Sequence, residues 1–80
     1  MRIRIKFFSY FKDIVGAEEI EIDVRDRCTV EELLNVIAER WPEMFEEDQV
    51  IILKNGMPAK FTDTIDENDE IAILPPVSGG

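Results

Sequence analysis

The chemistry open to this chain is concentrated at one end. Its last ten residues read IAILPPVSGG, finishing on Gly79 and Gly80. Glycine has no Cβ, so such an ending passes a narrow channel and leaves the terminal carbonyl carbon unshielded. A terminal carboxylate on Gly80 is ionised at neutral pH and is a poor electrophile. It reacts only after activation, for example as a mixed anhydride with a nucleotide phosphate, and the activated acyl group then accepts a sulfur or an amine nucleophile. A bare Gly-Gly reads as an ordinary terminal stub. Here the order of apolar strand, Pro-Pro, small residues and Gly-Gly favours a functional tail.

Little else in the chain carries chemistry. Histidine is absent and Cys28 is the single cysteine. That sets aside Ser-His-Asp and Cys-His nucleophilic sites, structural zinc and iron-sulfur clusters. Cys28 reads as an apolar staple ahead of a helix rather than as a nucleophile, since no histidine stands ready to activate it. The acidic run TDTIDENDE (62–70) lacks the D-x-[DN]-x-[DN]-G order of a calcium loop and reads as a solvated loop anchored by Ile65. No metal and no bound cofactor is expected. Any reaction must use the terminus or be supplied by another protein.

Eighty residues make one small domain with little room for an enclosed pocket. A 45% hydrophobic and 34% charged composition suits a compact soluble fold, and no run approaches the length of a membrane span. Neither a membrane nor a signal peptide is indicated, so the expected location is cytoplasmic. The net charge of −9, from 18 acidic and 9 basic residues, disfavours nucleic acid and favours a basic partner surface, although it also serves solubility.

The elements that must mount the tail follow from patterning. Residues 2–8 alternate, with Ile3, Ile5 and Phe7 on one side and Arg4, Lys6 and Phe8 on the other, as in a strand with one buried face. Residues 10–15 form a helical turn closed by Gly16. Residues 19–24 alternate again and suggest an antiparallel partner for the first strand. Thr29 and Glu32 form a capping box, and Val30, Leu33, Leu34, Ile37 and Trp41 keep helical spacing until Pro42 ends the helix near Arg40. Residues 42–49 read as a loop pinned by Met44 and Phe45. Residues 50–53 form an apolar strand, Asn55-Gly56 a tight turn, and residues 57–61 a short returning edge strand limited by Pro58. Ile71 to Leu74 is a compact apolar run that fits a central strand, and Pro75 and Pro76 end it.

That order predicts an α+β fold in which a mixed sheet of about five strands is crossed by one main helix: the ubiquitin-like β-grasp. The first and last strands pair in parallel at its centre. Residues 1–74 then form the domain and residues 75–80 a flexible tail. If the helix covers Ile3, Ile5, Phe7, Ile71 and Ile73, then Phe8, Ala72 and Leu74 face the other way. Two large apolar groups beside the tail exit make a docking patch, the alternative being packing beneath a loop.

FFSYFKDIVG, TVEELL, ILKNG and above all DEIAILPPVSGG resemble the small subunits of molybdopterin synthase, and through them the ubiquitin-like sulfur carriers, across essentially the whole chain. The resemblance implies that an adenylating enzyme related to the ubiquitin-activating enzymes uses ATP to activate Gly80. A sulfur donor then makes a thiocarboxylate, and the tail enters the large subunit and gives its sulfur to a pterin precursor, for a cofactor that later binds molybdenum or tungsten. It further implies that Gly79, Ser78 and Val77 take part in insertion and that Phe8, Leu74, Pro75 and Pro76 meet the partner. A thiocarboxylate is nucleophilic without a neighbouring base, which suits a chain lacking histidine. Five residues beyond Pro75 reach about 17 Å, and this limits the depth of any receiving pocket. Attachment of Gly80 to lysines as a protein modifier, sulfur delivery for thiamine or tRNA thiolation, and a non-covalent adaptor are the alternatives.

Overall fold

The computed structural model describes residues 1–46 and 50–76. Five strands, β1 (Arg2–Phe7), β2 (Glu19–Asp23), β3 (Ile51–Lys54), β4 (Met57–Pro58) and β5 (Glu70–Leu74), form one sheet in the order β2-β1-β5-β3-β4. Only β1 and β5 run parallel, with Ile5 opposite Ile71 and Phe7 opposite Ile73. β1 pairs antiparallel with β2, and β3 with both β5 and β4. The expected β-grasp is the observed arrangement, and the last strand sits in the middle of the sheet.

Alternation decides what is buried. Ile3, Ile5, Phe7, Ile71 and Ile73 are at most 1% exposed. They share one face of the sheet with Ile22 and Ile52, and the main helix α2 (Val30–Arg40) lies over them with Val30, Leu33, Leu34 and Ile37 inward. Phe7 meets Trp41 edge to face, their ring centroids 6.0 Å apart.

The local signals act where the sequence places them. Gly16 caps the short helix α1 (Tyr10–Val15) at φ 83°, and Asn55 and Gly56 both take positive φ in the turn that joins β3 to β4. Thr29 Oγ1 accepts the Glu32 backbone N–H at 3.2 Å and Glu32 Oε1 accepts the Thr29 N–H at 3.3 Å, closing the capping box. Cys28 and Leu33 are both buried in the core, as a staple requires. The remaining amides at this helix start are satisfied by the 61–63 loop: Val30 N–H donates to the Asp63 carbonyl and Glu31 N–H to that of Phe61. Ile65, fully buried, holds the loop down.

Several boundaries differ from the sequence reading: β2 ends at Asp23, one residue short of 24, and β5 begins at Glu70, one residue before Ile71. β1 stops at Phe7 because Ser9 adopts φ 57°, which turns the chain out of the strand. The stretch read as a plain loop winds into a 3₁₀ turn at Pro42–Phe45, with proline at its first position and Met44 buried. β3 is displaced by one residue, Ile51–Lys54 instead of 50–53. β4 is two residues long and does not reach Phe61, since Pro58 has no N–H to extend the ladder.

Two measurements follow. Ile71→Ala removes buried methyl groups at the centre of the parallel pair and should cost about 2–5 kcal/mol in denaturant unfolding; a loss under about 1 kcal/mol would contradict this placement. Arg25 reaches both carboxylate oxygens of Glu32, at 2.6 Å on one arm. That hydrogen bond, with the Thr29 cap, lowers the Glu32 carboxyl from 4.5 to about 2. The folded state therefore gains stability from this group above about pH 4.5 and loses it as the pH falls toward 2. Thermal unfolding of Glu32→Gln across that window should show a shallower acid slope than wild type, and an unchanged slope would contradict the assignment.

Candidate docking face and tail root

The sheet has a second face, opposite α2, and it is apolar on its central strands. Strand alternation sends Ala72 and Leu74 of β5 there. By register Leu74 lies opposite Ile51 and Ala72 opposite Leu53, while Leu53 in turn faces Pro58 of β4. Phe8 follows on directly from β1. Its N–H donates to the Ile73 carbonyl at 3.3 Å, which fixes the backbone, while 42% of the residue stays exposed. Ile51, Leu53 and Leu74 are half-buried, and Phe8 and Pro58 exposed. A contiguous patch of this kind is what a partner covers.

Phe8 and Leu74 were both read from the sequence as members of this face; Leu74 lies opposite Ile51 on it, and Phe8 is tied to β5 through its backbone bond to Ile73. Ile51 and Leu53 were missed. A continuous apolar strand has residues on both sides of its sheet, so the run Ile51-Ile52-Leu53 across β3 was the signal, given that one helix covers only one face. Pro75 is buried and Pro76 exposed, so of the two prolines Pro76 is the one that presents surface. Val77, Ser78, Gly79 and Gly80, named above for insertion and chemistry, lie outside the described residues.

Other candidate groups are inert or structural. Burial, then the charge of Glu32, push the Cys28 thiol above its ordinary value, so it holds little thiolate. Among the described residues no group of three His, Cys, Asp or Glu side chains is arranged to hold a metal, and no helix is long and apolar enough to cross a membrane. Asp69, in the acidic loop, is engaged in hydrogen bonds within the fold. Its carboxylate accepts from Asp66 N–H at 2.8 Å and from Asn55 Nδ2 at 2.9 Å. Partial burial would raise that carboxyl, but these bonds and the Lys54 charge outweigh it and hold it below its usual value. On the helix side, an open hollow of about 450 Å³ lies among Leu34, Ala38, Phe45, Val50 and Phe61. No sequence pattern marks this hollow, because it depends on Phe61 lying outside β4.

The low reactivity of the thiol is directly testable. Iodoacetamide at neutral pH should leave Cys28 unmodified in the folded protein and alkylate it fully in denaturant, as read by intact mass; rapid native labelling would show that the site opens.

Comparison with known proteins places this geometry. The ThiS family profile matches residues 5–80. The chain is 31% identical to the molybdopterin synthase sulfur carrier subunit of Escherichia coli, covering 98% of this chain and 99% of that protein. The crystal structure of small archaeal modifier protein 1 from Haloferax volcanii superposes with TM-score 0.84 at 26% identity, all of both chains aligned. A chain in the complex of subunits 1 and 2 of the molybdopterin-converting factor from Helicobacter pylori gives TM-score 0.71 at 25% identity, again over both full lengths.

Proposed function

This chain belongs to the ThiS family, and on that premise we propose that it is the sulfur carrier of a molybdopterin synthase, working through Gly80. An adenylating enzyme joins the Gly80 carboxylate to the α-phosphate of ATP and releases pyrophosphate. A sulfur nucleophile then displaces AMP and leaves a thiocarboxylate. The charged carrier docks by Phe8, Ile51, Leu53, Leu74 and Pro76 on the large subunit, whose active site takes the tail and transfers the sulfur to a pterin precursor.

The observation that carries this reading is the continuity of docking face and tail. Leu74 belongs to the apolar patch and is also the residue directly before Pro75, where the tail begins. Binding at the patch thus fixes where the tail starts, and the tail can enter a pocket only near that point. The domain supplies position and the terminus supplies the reacting atom. The likeness to the Escherichia coli carrier over both full lengths supports the same assignment.

A second reading is favoured by the likeness to small archaeal modifier protein 1. The same activated acyl group, met by a lysine amine in place of sulfur, gives an isopeptide. Delivery of sulfur to thiamine or tRNA is the adjacent use of the same intermediate. The partner separates these readings, because all require an identical tail.

Incubation with the adenylating enzyme, ATP and a sulfur donor should raise the intact mass by the exchange of one oxygen for sulfur. Deleting Gly80 should abolish that change and leave the unfolding curve unaltered. No mass shift in the intact chain with a competent enzyme would overturn the carrier reading, and lysine-linked Gly-Gly remnants in digests from the source cells would establish conjugation.

A further inference from the structure

β1 sends three cations to the open face: Arg2, Arg4 and Lys6. Two are neutralised inside the molecule. Arg2 lies 3.3 Å from Asp23 and 3.6 Å from Glu21, and Lys6 Nζ lies 3.0 Å from Glu70. Arg4 stands between them, opposite Glu21 on β2 and Glu70 on β5. Both of those carboxylates turn to its neighbours, and among the described residues Arg4 makes no ion pair or side-chain hydrogen bond. It is exposed, on a rigid strand, at the border of the apolar patch.

We infer that Arg4 is a specificity contact of the docking face and that the catalytic partner presents a carboxylate to it. This rests on the carrier reading and adds the partner's chemistry to it. A standard interface covers about 800 Å² on each side, a disc of radius about 16 Å. From the strand rise and spacing, Arg4 lies about 8 Å from Ala72 and about 14 Å from Leu74, inside a footprint centred on those residues. A guanidinium covered by a partner loses water from its N–H donors, and an unpaired cation in such a place is costly. A planar carboxylate, met by two parallel hydrogen bonds, offsets that cost and fixes orientation as well.

Charge distribution agrees with this role. On the open face the basic residues of β1 stand against Glu19, Glu21 and Asp23 of β2 and Glu70 of β5, so the face is close to balanced. The acidic surplus of the chain lies elsewhere, on α2 and in the sequence stretches 43–48 and 63–69. Long-range attraction to a basic partner therefore comes from the rest of the molecule, and Arg4 selects the register on arrival.

Calorimetric titration of the full chain into the large subunit of molybdopterin synthase tests this. Arg4→Glu should weaken binding at least about tenfold and Arg4→Lys by less, since lysine keeps the charge and loses the fork. Arg40→Glu, on the helix layer, should stay within about twofold. One Asp→Arg or Glu→Arg variant of the large subunit should restore binding to Arg4→Glu. If Arg4→Glu binds within about twofold of wild type while Leu74→Glu abolishes binding, the carboxylate contact is overturned and the docking face stands. If wild type itself does not bind, the carrier reading falls, and this inference with it.

Discussion

The parallel pairing of β1 with β5 is the constraint on which the rest of the structure depends. It joins segments from opposite ends of the chain and stacks Ile5 beside Ile71 and Phe7 beside Ile73, none more than 1% exposed. Every other strand is added to this pair, β2 on one side and β3 with β4 on the other. The helix covers the face that the pair makes apolar. Since Ile71 and Ile73 of β5 face the helix, Ala72 and Leu74 are committed to the other side, and a slip of one residue would exchange the two faces.

The two sides of the sheet consequently do different work. One is a packed interior whose residues are fixed by volume. The other is a surface on which Phe8, Ile51, Leu53 and Leu74 stay partly in water, a lasting hydration cost for a protein left alone. A small domain without histidine has few ways to take part in a reaction. Among the described residues this one offers an apolar face on the open side of its sheet.

Much of this was legible in the sequence because the signals were local and had one meaning. The Thr29–Glu32 box, the positive φ at Asn55-Gly56, the Gly16 cap and the alternation in β1 each follow from the chemistry of one or two residues. The misjudged positions were those settled by tertiary context. Pro42 both ends α2 and starts a 3₁₀ turn, and only the burial of Met44 chooses a wound segment over an open one. The apolar run of β3 reads equally well as core on both sides, so Ile51 and Leu53 were invisible as surface until the helix was seen to cover one face. Arg4 looked like any solvent-side arginine. Its isolation emerges from the side chains of Glu21 and Glu70 turning elsewhere, which no spacing rule encodes.

The central position of β5 has a consequence for how the protein is made. The strand that completes the middle of the sheet is the last of the five to be synthesised, and closing it against β1 is the longest-range contact in the fold. During translation β1, β2, α2 and β3 emerge before β5, so the slot between β1 and β3 stays unfilled until that strand is made. A truncated product that stopped before residue 70 would expose two open strand edges and the underside of α2, and would be a ready substrate for chaperones and proteases. A molecule stable enough to persist in the cell is therefore one that has already been translated through to β5.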